Sequence, residues 1–229
     1  MTMTAHPLDR TIWNALTGPQ KAFAEGSAPA LRFRPDIIPF AAAADGSADS
    51  LAALAALPRP REVMVLVEIM PPATPPGLVA VRTGAVTQMI LTRPSAAVDD
   101  ARIEKLTEAD AAEMLALAQL TEPGPFTLKA QALASFHGIR IDGRLAAMAG
   151  ERMKVAGHSE LSGVCVHPDF RGRGLARLLS IVVTRQILAR GETPFLHAWE
   201  NNTPAIRLYE SIGYVQRATF NLLAVVKPE

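Results

Sequence analysis

Cysteine is nearly missing from this 229-residue chain: Cys165 is its one thiol, so no internal disulfide forms and a reducing cytoplasm is the expected compartment. Net charge is close to absent as well. The 23 basic side chains stand against 22 acidic ones, leaving +1, and neither half of the chain is a polyelectrolyte. No field of one sign exists to draw in nucleic acid or an anionic membrane, so neither partner is expected and any charge-based function is local. No stretch approaches 18 consecutive apolar residues, which excludes a membrane-spanning helix of the ordinary kind. The opening MTMTAHPLDR has neither a basic n-region nor an apolar h-region, so no secretory leader is expected. What is abundant is apolar material, at 49% of the residues. A chain of this length with that content can remove roughly 70% of its unfolded surface from water, which rules out disorder and the stapled mini-protein scaffolds.

Proline divides the chain unevenly, with 12 of 18 before residue 101. The first hundred residues alternate helix-like pieces, 8–16 and 50–57, with strand candidates 63–68 and 78–91. Pro71, Pro72, Pro75 and Pro76 mark the turn between those strands. The stretch 92–100 reads as a connector, which places a boundary near residue 100 and predicts domains 1–100 and 101–229. Beyond it, strand and helix follow each other more cleanly. Strands are predicted at 102–106, 136–141, 144–154, 158–166 and 194–199, with one or two closing strands over 214–226. Asp142-Gly143 forms a hairpin turn of the kind that tolerates positive φ. Helices are predicted at 111–120, introduced by the cap-like Thr107 and Asp110, at 127–135, at 175–190 and at 203–212. In the 175–190 helix the apolar positions Leu175, Leu178, Leu179, Val182 and Val183 recur at three and four, and Gly191 stands where a C-terminal cap belongs.

Chemistry concentrates where the 158–166 strand turns into the 175–190 helix, through His167-Pro168-Asp169-Phe170-Arg171-Gly172-Arg173-Gly174-Leu175-Ala176. The first turn of a helix carries N–H groups without intrahelical partners and the positive end of the dipole, so backbone alone can hold a phosphate there. Gly172 and Gly174 allow close approach, and Arg171 and Arg173 add planar cationic donors. The same residues could form a plain strand-to-helix turn with solvated arginines. A P-loop would require Gly-Lys-Ser/Thr, and none follows. A dinucleotide fingerprint would require a third glycine where Arg177 stands.

The run Arg171-Gly172-Arg173-Gly174-Leu175-Ala176 resembles the Arg/Gln-x-x-Gly-x-Gly/Ala signature of the GNAT superfamily of acetyl-CoA-dependent N-acyltransferases. Asn202-Thr203-Pro204-Ala205, continuing through Tyr209 and Glu210 to Gly213-Tyr214, is similar to that family's Asn-x-x-Ala-x-x-x-Tyr-Glu-x-x-Gly-Phe/Tyr segment. The resemblance covers residues 101–229. It implies an α/β (α+β) fold in which a mixed, mostly antiparallel sheet with flanking helices splays into a V between the strands ending near Val166 and Trp199. A smaller α/β half precedes it. In that picture acetyl-CoA, the acyl donor, lies in the V. Its diphosphate rests on Arg171, Gly172, Arg173, Gly174, Leu175 and Ala176, its pantetheine pairs with the backbone of Val164, Cys165 and Val166, and Asn202, Ala205 and Tyr209 complete the coenzyme site. The implied activity is acetyl transfer to a primary amine by direct attack on the thioester, with no metal.

Two side chains take roles from this resemblance. Glu160, six positions before Val166, is the candidate base; alternation would put it on one face with Ser162, Val164 and Val166 unless a bulge intervenes. A glutamate facing water at a strand start is the other reading. Tyr209 matches the general acid, since a phenol stays protonated at neutral pH and can donate to a departing thiolate; a core aromatic on an amphipathic helix is the alternative. Asn202 can bind coenzyme, cap the following helix, or both. Cys165, between two valines, reads as a buried inert thiol, and His158, His167 and His197 lack metal-ligand spacing. The first half holds no second phosphate signature, yet its order of elements looks like a worn copy of the same fold, as in tandem members. Trp13, Phe23, Phe33 and Phe40 are expected in its core. A non-catalytic acyl-CoA-binding or regulatory module is the runner-up function, and a nucleotide-binding protein of another fold a third. The acceptor stays open, and so does the choice between monomer and homodimer.

Overall fold

The computed structural model describes residues 6–229, so the first five residues of the opening segment lie outside the description. Strands β1 (Ala24–Ser27), β2 (Ala30–Phe33), β3 (Ala41–Ala43), β4 (Val63–Glu68) and β5 (Val79–Leu91) share the first part with helices α1 (Thr11–Leu16) and α2 (Ala48–Ala56). There follow β6 (Ile103–Leu106), α3 (Ala111–Thr121), β7 (Phe136–Ile141), β8 (Arg144–Val155) and β9 (His158–Val166). Then come α4 (Leu175–Ala189), β10 (Thr193–Trp199), α5 (Thr203–Ser211) and β11 (Tyr214–Val226).

Contacts divide the chain into two compact units, one of residues up to Thr87 with Met153–Ala156 and Ala218–Glu229, the other Gln88–Arg152 with Gly157–Arg217. The division cuts β5 between Thr87 and Gln88, β8 between Arg152 and Met153, and β11 between Arg217 and Ala218.

In the first unit β1, β2 and β3 form an antiparallel sheet, and β11 pairs antiparallel with β4 from Asn221↔Glu68 to Val226↔Val63. The three short strands escape a reading by periodicity, because three or four residues are too few to display an alternation. Their core joins Ala30, Ala41 and Ala43 to Leu54, Met64, Leu66, Leu223 and Val225. Phe33 and Phe40 are buried as expected; Trp13 and Phe23 are only half-buried, and Trp13 lies under the Arg10 guanidinium, 5.4 Å from its ring centre.

In the second unit the strand order runs β11-β5-β10-β9-β8-β7-β6, with β6, β7 and β8 antiparallel and β9 parallel to β10. Asp142 and Gly143 both adopt positive φ at the β7–β8 hairpin, the geometry expected of that dipeptide. Thr107 and Asp110 form the anticipated capping box, with Asp110 Oδ2 accepting from the Thr107 N–H at 2.8 Å. The helix expected over 127–135 is reduced to a 3-10 turn at Ala130–Ala132. Of its nine residues only Ala130 and Leu133 are buried, too little apolar face to hold so short a helix, and the Thr127 hydroxyl takes the Lys129 N–H in a local turn instead. Helix α4 lays Leu175, Leu179, Ile181, Val183 and Ile187 into a core with Met89, Ile139, Leu161, Leu196 and Tyr214. No helix among the described residues is both long and apolar enough to cross a membrane.

Candidate functional site

Strands β9 and β10 run parallel but pair only over three residues, His158, Ser159 and Glu160 against Thr193, Pro194 and Phe195. Beyond Glu160 the pairing ends, while β9 continues to Val166 and β10 to Trp199. The sheet is thus split at its centre, leaving backbone on the late part of β9 for another extended chain. Gly163 takes a φ of 62°, and the alternation expected along β9 is interrupted around it: Ser159, Glu160 and Leu161 are all buried, Ser162 to Val164 all half-buried, and alternation returns only over Val164, Cys165 and Val166.

The open part of the V leads to the start of α4. A cleft of about 370 Å³ is lined by Val164, Val166 and Phe170 on one side, residues 171–177 along its floor, and Ala205, Leu208 and Tyr209 from α5. Gly172 and Gly174 have φ of 76° and 73°, and a Cβ at either would meet nothing within 4 Å. They carry the chain over the helix end in the left-handed region and leave the space above it clear. Gly174 is the N-cap residue and offers no side chain, so the first-turn amides of α4 keep their donors for something outside the helix. Arg173 stacks on Phe170, its guanidinium carbon 5.2 Å from the ring centre, and Arg144 covers the same ring at 5.3 Å. Room for an anion and positive charge beside it therefore exist where the glycine spacing placed them.

On the other wall, Asn202 caps α5, its Oδ1 accepting from the Ala205 N–H at 3.3 Å. The cap presents Ala205 and Tyr209 to the cleft, one turn apart. Tyr209 is 9% exposed, and burial together with the nearby Cys165 pushes its phenol well above the usual range, so it is fully protonated at neutral pH. Gly213, which ends the second motif, has φ of 100° and sits so close to the Arg93 carbonyl that a Cβ would lie 1.6 Å from the oxygen. Its own carbonyl accepts from Thr92 N–H at 3.0 Å.

Glu160 occupies the last paired position of β9, at the apex of the V, and is wholly buried. Burial alone would raise its pKa, but two hydrogen bonds from Arg152 (2.9 and 2.7 Å) and one from His197 Nδ1 (2.8 Å) outweigh it and hold the carboxyl at about 2. His197 Nε2 lies 3.0 Å from Gln88 Nε2, and Gln88 Oε1 accepts from Arg217 Nε. Gln88 thus bridges the His197 ring to the Arg217 guanidinium, while His197 Nδ1 faces Glu160. The sequence singles out Glu160 but gives His197 only as a residue without metal-ligand spacing, and it carries no local signal for Arg152, Gln88 and Arg217, which are scattered over β8, β5 and β11. Cys165 is 3% exposed and its thiol is pushed up to about 12 by burial, in keeping with an inert side chain. Among the described residues no group of three or more His, Cys, Asp or Glu is placed to hold a metal ion.

Comparison with known proteins agrees with this geometry. The family model described as FR47-like protein matches residues 137–222, a span that contains both motifs. A crystal structure from Novosphingobium aromaticivorans assigned to the GNAT family of acetyltransferases is similar at 44% identity and a TM-score of 0.93, covering 98% of this chain and 100% of that one. A GCN5-related N-acetyltransferase from Kribbella flavida shares the fold, with a TM-score of 0.61 at 18% identity over 96% of this chain and 93% of that one. A mycothiol acetyltransferase from Acidothermus cellulolyticus is 38% identical over 87 residues, 36% of this chain, and the match spans only 26% of that relative's length.

Proposed function

We propose, on the premise that the chain belongs to the GNAT family of acetyltransferases, that it transfers the acetyl group of acetyl-CoA to a primary amine by direct attack on the thioester. The observation that carries this reading is the clear cleft over the uncapped start of α4, lined jointly by residues of both motifs. The coenzyme diphosphate is assigned to the amides of Arg171, Gly172, Arg173, Gly174, Leu175 and Ala176, with the arginine charges beside it. The pantetheine follows the backbone of Val164, Cys165 and Val166, where β9 has left β10. Ala205 and Tyr209 line the other side, and Asn202, outside the lining, caps the helix that carries them.

In the reaction the neutral amine nitrogen attacks the thioester carbonyl, the C–S bond breaks, and the amine loses one proton while the thiolate gains one. Tyr209 supplies the thiolate's proton, a role for which a phenol held protonated by burial is suited. Proton removal falls to Glu160 acting with His197. A carboxyl held at about 2 is a weak base by itself, but it orients the imidazole through Nδ1 and favours positive charge on the ring as the amine's proton is taken. Acetyl-CoA and an amine are the partners in this reading, with the cytoplasm as compartment.

Thermal melting with coenzyme, followed by thiol release across an amine panel, tests it. Acetyl-CoA at 100 times its Kd should add about 2.7 kcal/mol of stability. Stabilisation by ATP or NAD but not by acetyl-CoA would overturn the coenzyme assignment. Stabilisation by acetyl-CoA without thiol release for any amine would leave the non-catalytic coenzyme binder in its place.

A further inference from the structure

The first unit contains a cavity of its own, about 630 Å³, walled by β3 and the turn after it, the middle of α2, the end of β4 and the proline-rich segment that follows β4. Its volume is within the ordinary range for small-molecule sites. Its walls are apolar, with Ala42, Leu54, Leu66 and Met70 among them, and four charged side chains reach it: Asp9, Arg10, Asp45 and Glu68. Three carboxylates against one guanidinium give the lining a formal charge of −2.

These charges are not equally committed. Arg10 donates to the Ala43 and Ala44 carbonyls at the end of β3 and stacks on Trp13, so it is built into the wall. Asp9 accepts from the His6 N–H, and Asp45 Oδ1 accepts from Ser47 N–H and from the Ser47 and Ser50 hydroxyls at the start of α2. Glu68 is different. Its side chain is 25% exposed, and its ion pair with Arg10 is a long one, 3.7 Å. Burial raises its pKa above the usual carboxylate value even against the pull of Arg10. An apolar chamber with one under-paired carboxylate in its wall is complementary to an apolar body carrying an ammonium group, and opposed to a carboxylate ligand.

We propose that this cavity is a second ligand site, separate from the α4 cleft, that takes a small hydrophobic amine, its ammonium group pairing with Glu68 and its apolar part seated against Leu54, Leu66 and Met70. The site is independent of the acetyl-transfer reading, and its test uses no acyl donor.

Calorimetric titration of the full chain with 2-phenylethylamine, 2-phenylethanol and phenylacetate separates the possibilities. The amine should bind at least tenfold more tightly than the alcohol, and phenylacetate should bind most weakly. Glu68→Gln, with its fold checked by circular dichroism and melting temperature, should reduce amine affinity at least tenfold and leave the alcohol unchanged. A crystal soaked with the amine should place its nitrogen within hydrogen-bond reach of the Glu68 carboxylate. Equal binding of all three probes, tightest binding of phenylacetate, unchanged amine affinity in Glu68→Gln, or amine density elsewhere would each overturn the proposal. Should Glu68→Gln fail to fold, the probe ranking and the soaked crystal decide alone.

Discussion

Tyr209, which lines the cleft, and Cys165, in the strand beside it, show how burial assigns opposite fates to two ionisable side chains. Burial raises both pKa values, which makes a phenol a dependable proton donor and a thiol a poor nucleophile. Replacing Tyr209 with Phe removes the donor but keeps the ring, so kcat for thiol release should fall about 100-fold or more with little change in the KM for acetyl-CoA. Normal turnover in that variant would withdraw the acid role. Cys165 should resist iodoacetamide at pH 7.4 for as long as the protein stays folded and react at once in denaturant. Rapid alkylation of the native chain, read by mass spectrometry, would contradict its burial. Glu160 illustrates the limits of reading one residue from its place on a strand, since the position was legible but its partners Arg152 and His197 were not.

At the scale of elements, both motifs act through backbone geometry as much as through side chains. The glycine pair before α4 lets the chain cross the helix end in the left-handed region without covering it. Gly174→Ala should cost about 1–2 kcal/mol for the strained φ and raise the KM for acetyl-CoA at least tenfold, because the relaxed loop shifts the amides; an unchanged KM would remove the cradle from the coenzyme site. Gly213 serves packing instead. A Cβ there would collide with the Arg93 carbonyl, so Gly213→Ala should destabilise by about 3 kcal/mol or more, measured by urea titration, with the loss appearing in folding and not in coenzyme affinity. The helix once expected over 127–135 shows the reverse lesson: favourable residues do not hold a nine-residue helix that buries two side chains.

For the whole molecule, the buried cluster around Glu160 ties stability to pH. Its folded pKa is depressed from the ordinary 4.5 to about 2, so the stabilisation it contributes is fully present above about 4.5 and is lost as pH falls toward 2. Glu160→Gln should therefore be less stable than the parent at pH 7, and the gap should close as both are titrated from pH 5 to pH 2. A gap that stays constant over that window would mean the carboxylate is not held ionised in the folded state.

Sequence alone determined those features that are written locally. Short apolar, β-branched runs bounded by turn residues located β4, β7 and β9, three-and-four spacing located α4, and two short motifs located residues that line one cleft, because each signal lies within one element or one turn. Tertiary structure alone decided three things. The division into compact units cuts strands β5, β8 and β11, the early end of pairing between β9 and β10 opens the V, and Gln88, Arg152, His197 and Arg217 gather around Glu160 from four different strands. Each of these depends on which strands hydrogen-bond to one another, and strand pairing joins residues far apart in the chain that carry no mark of their future neighbours.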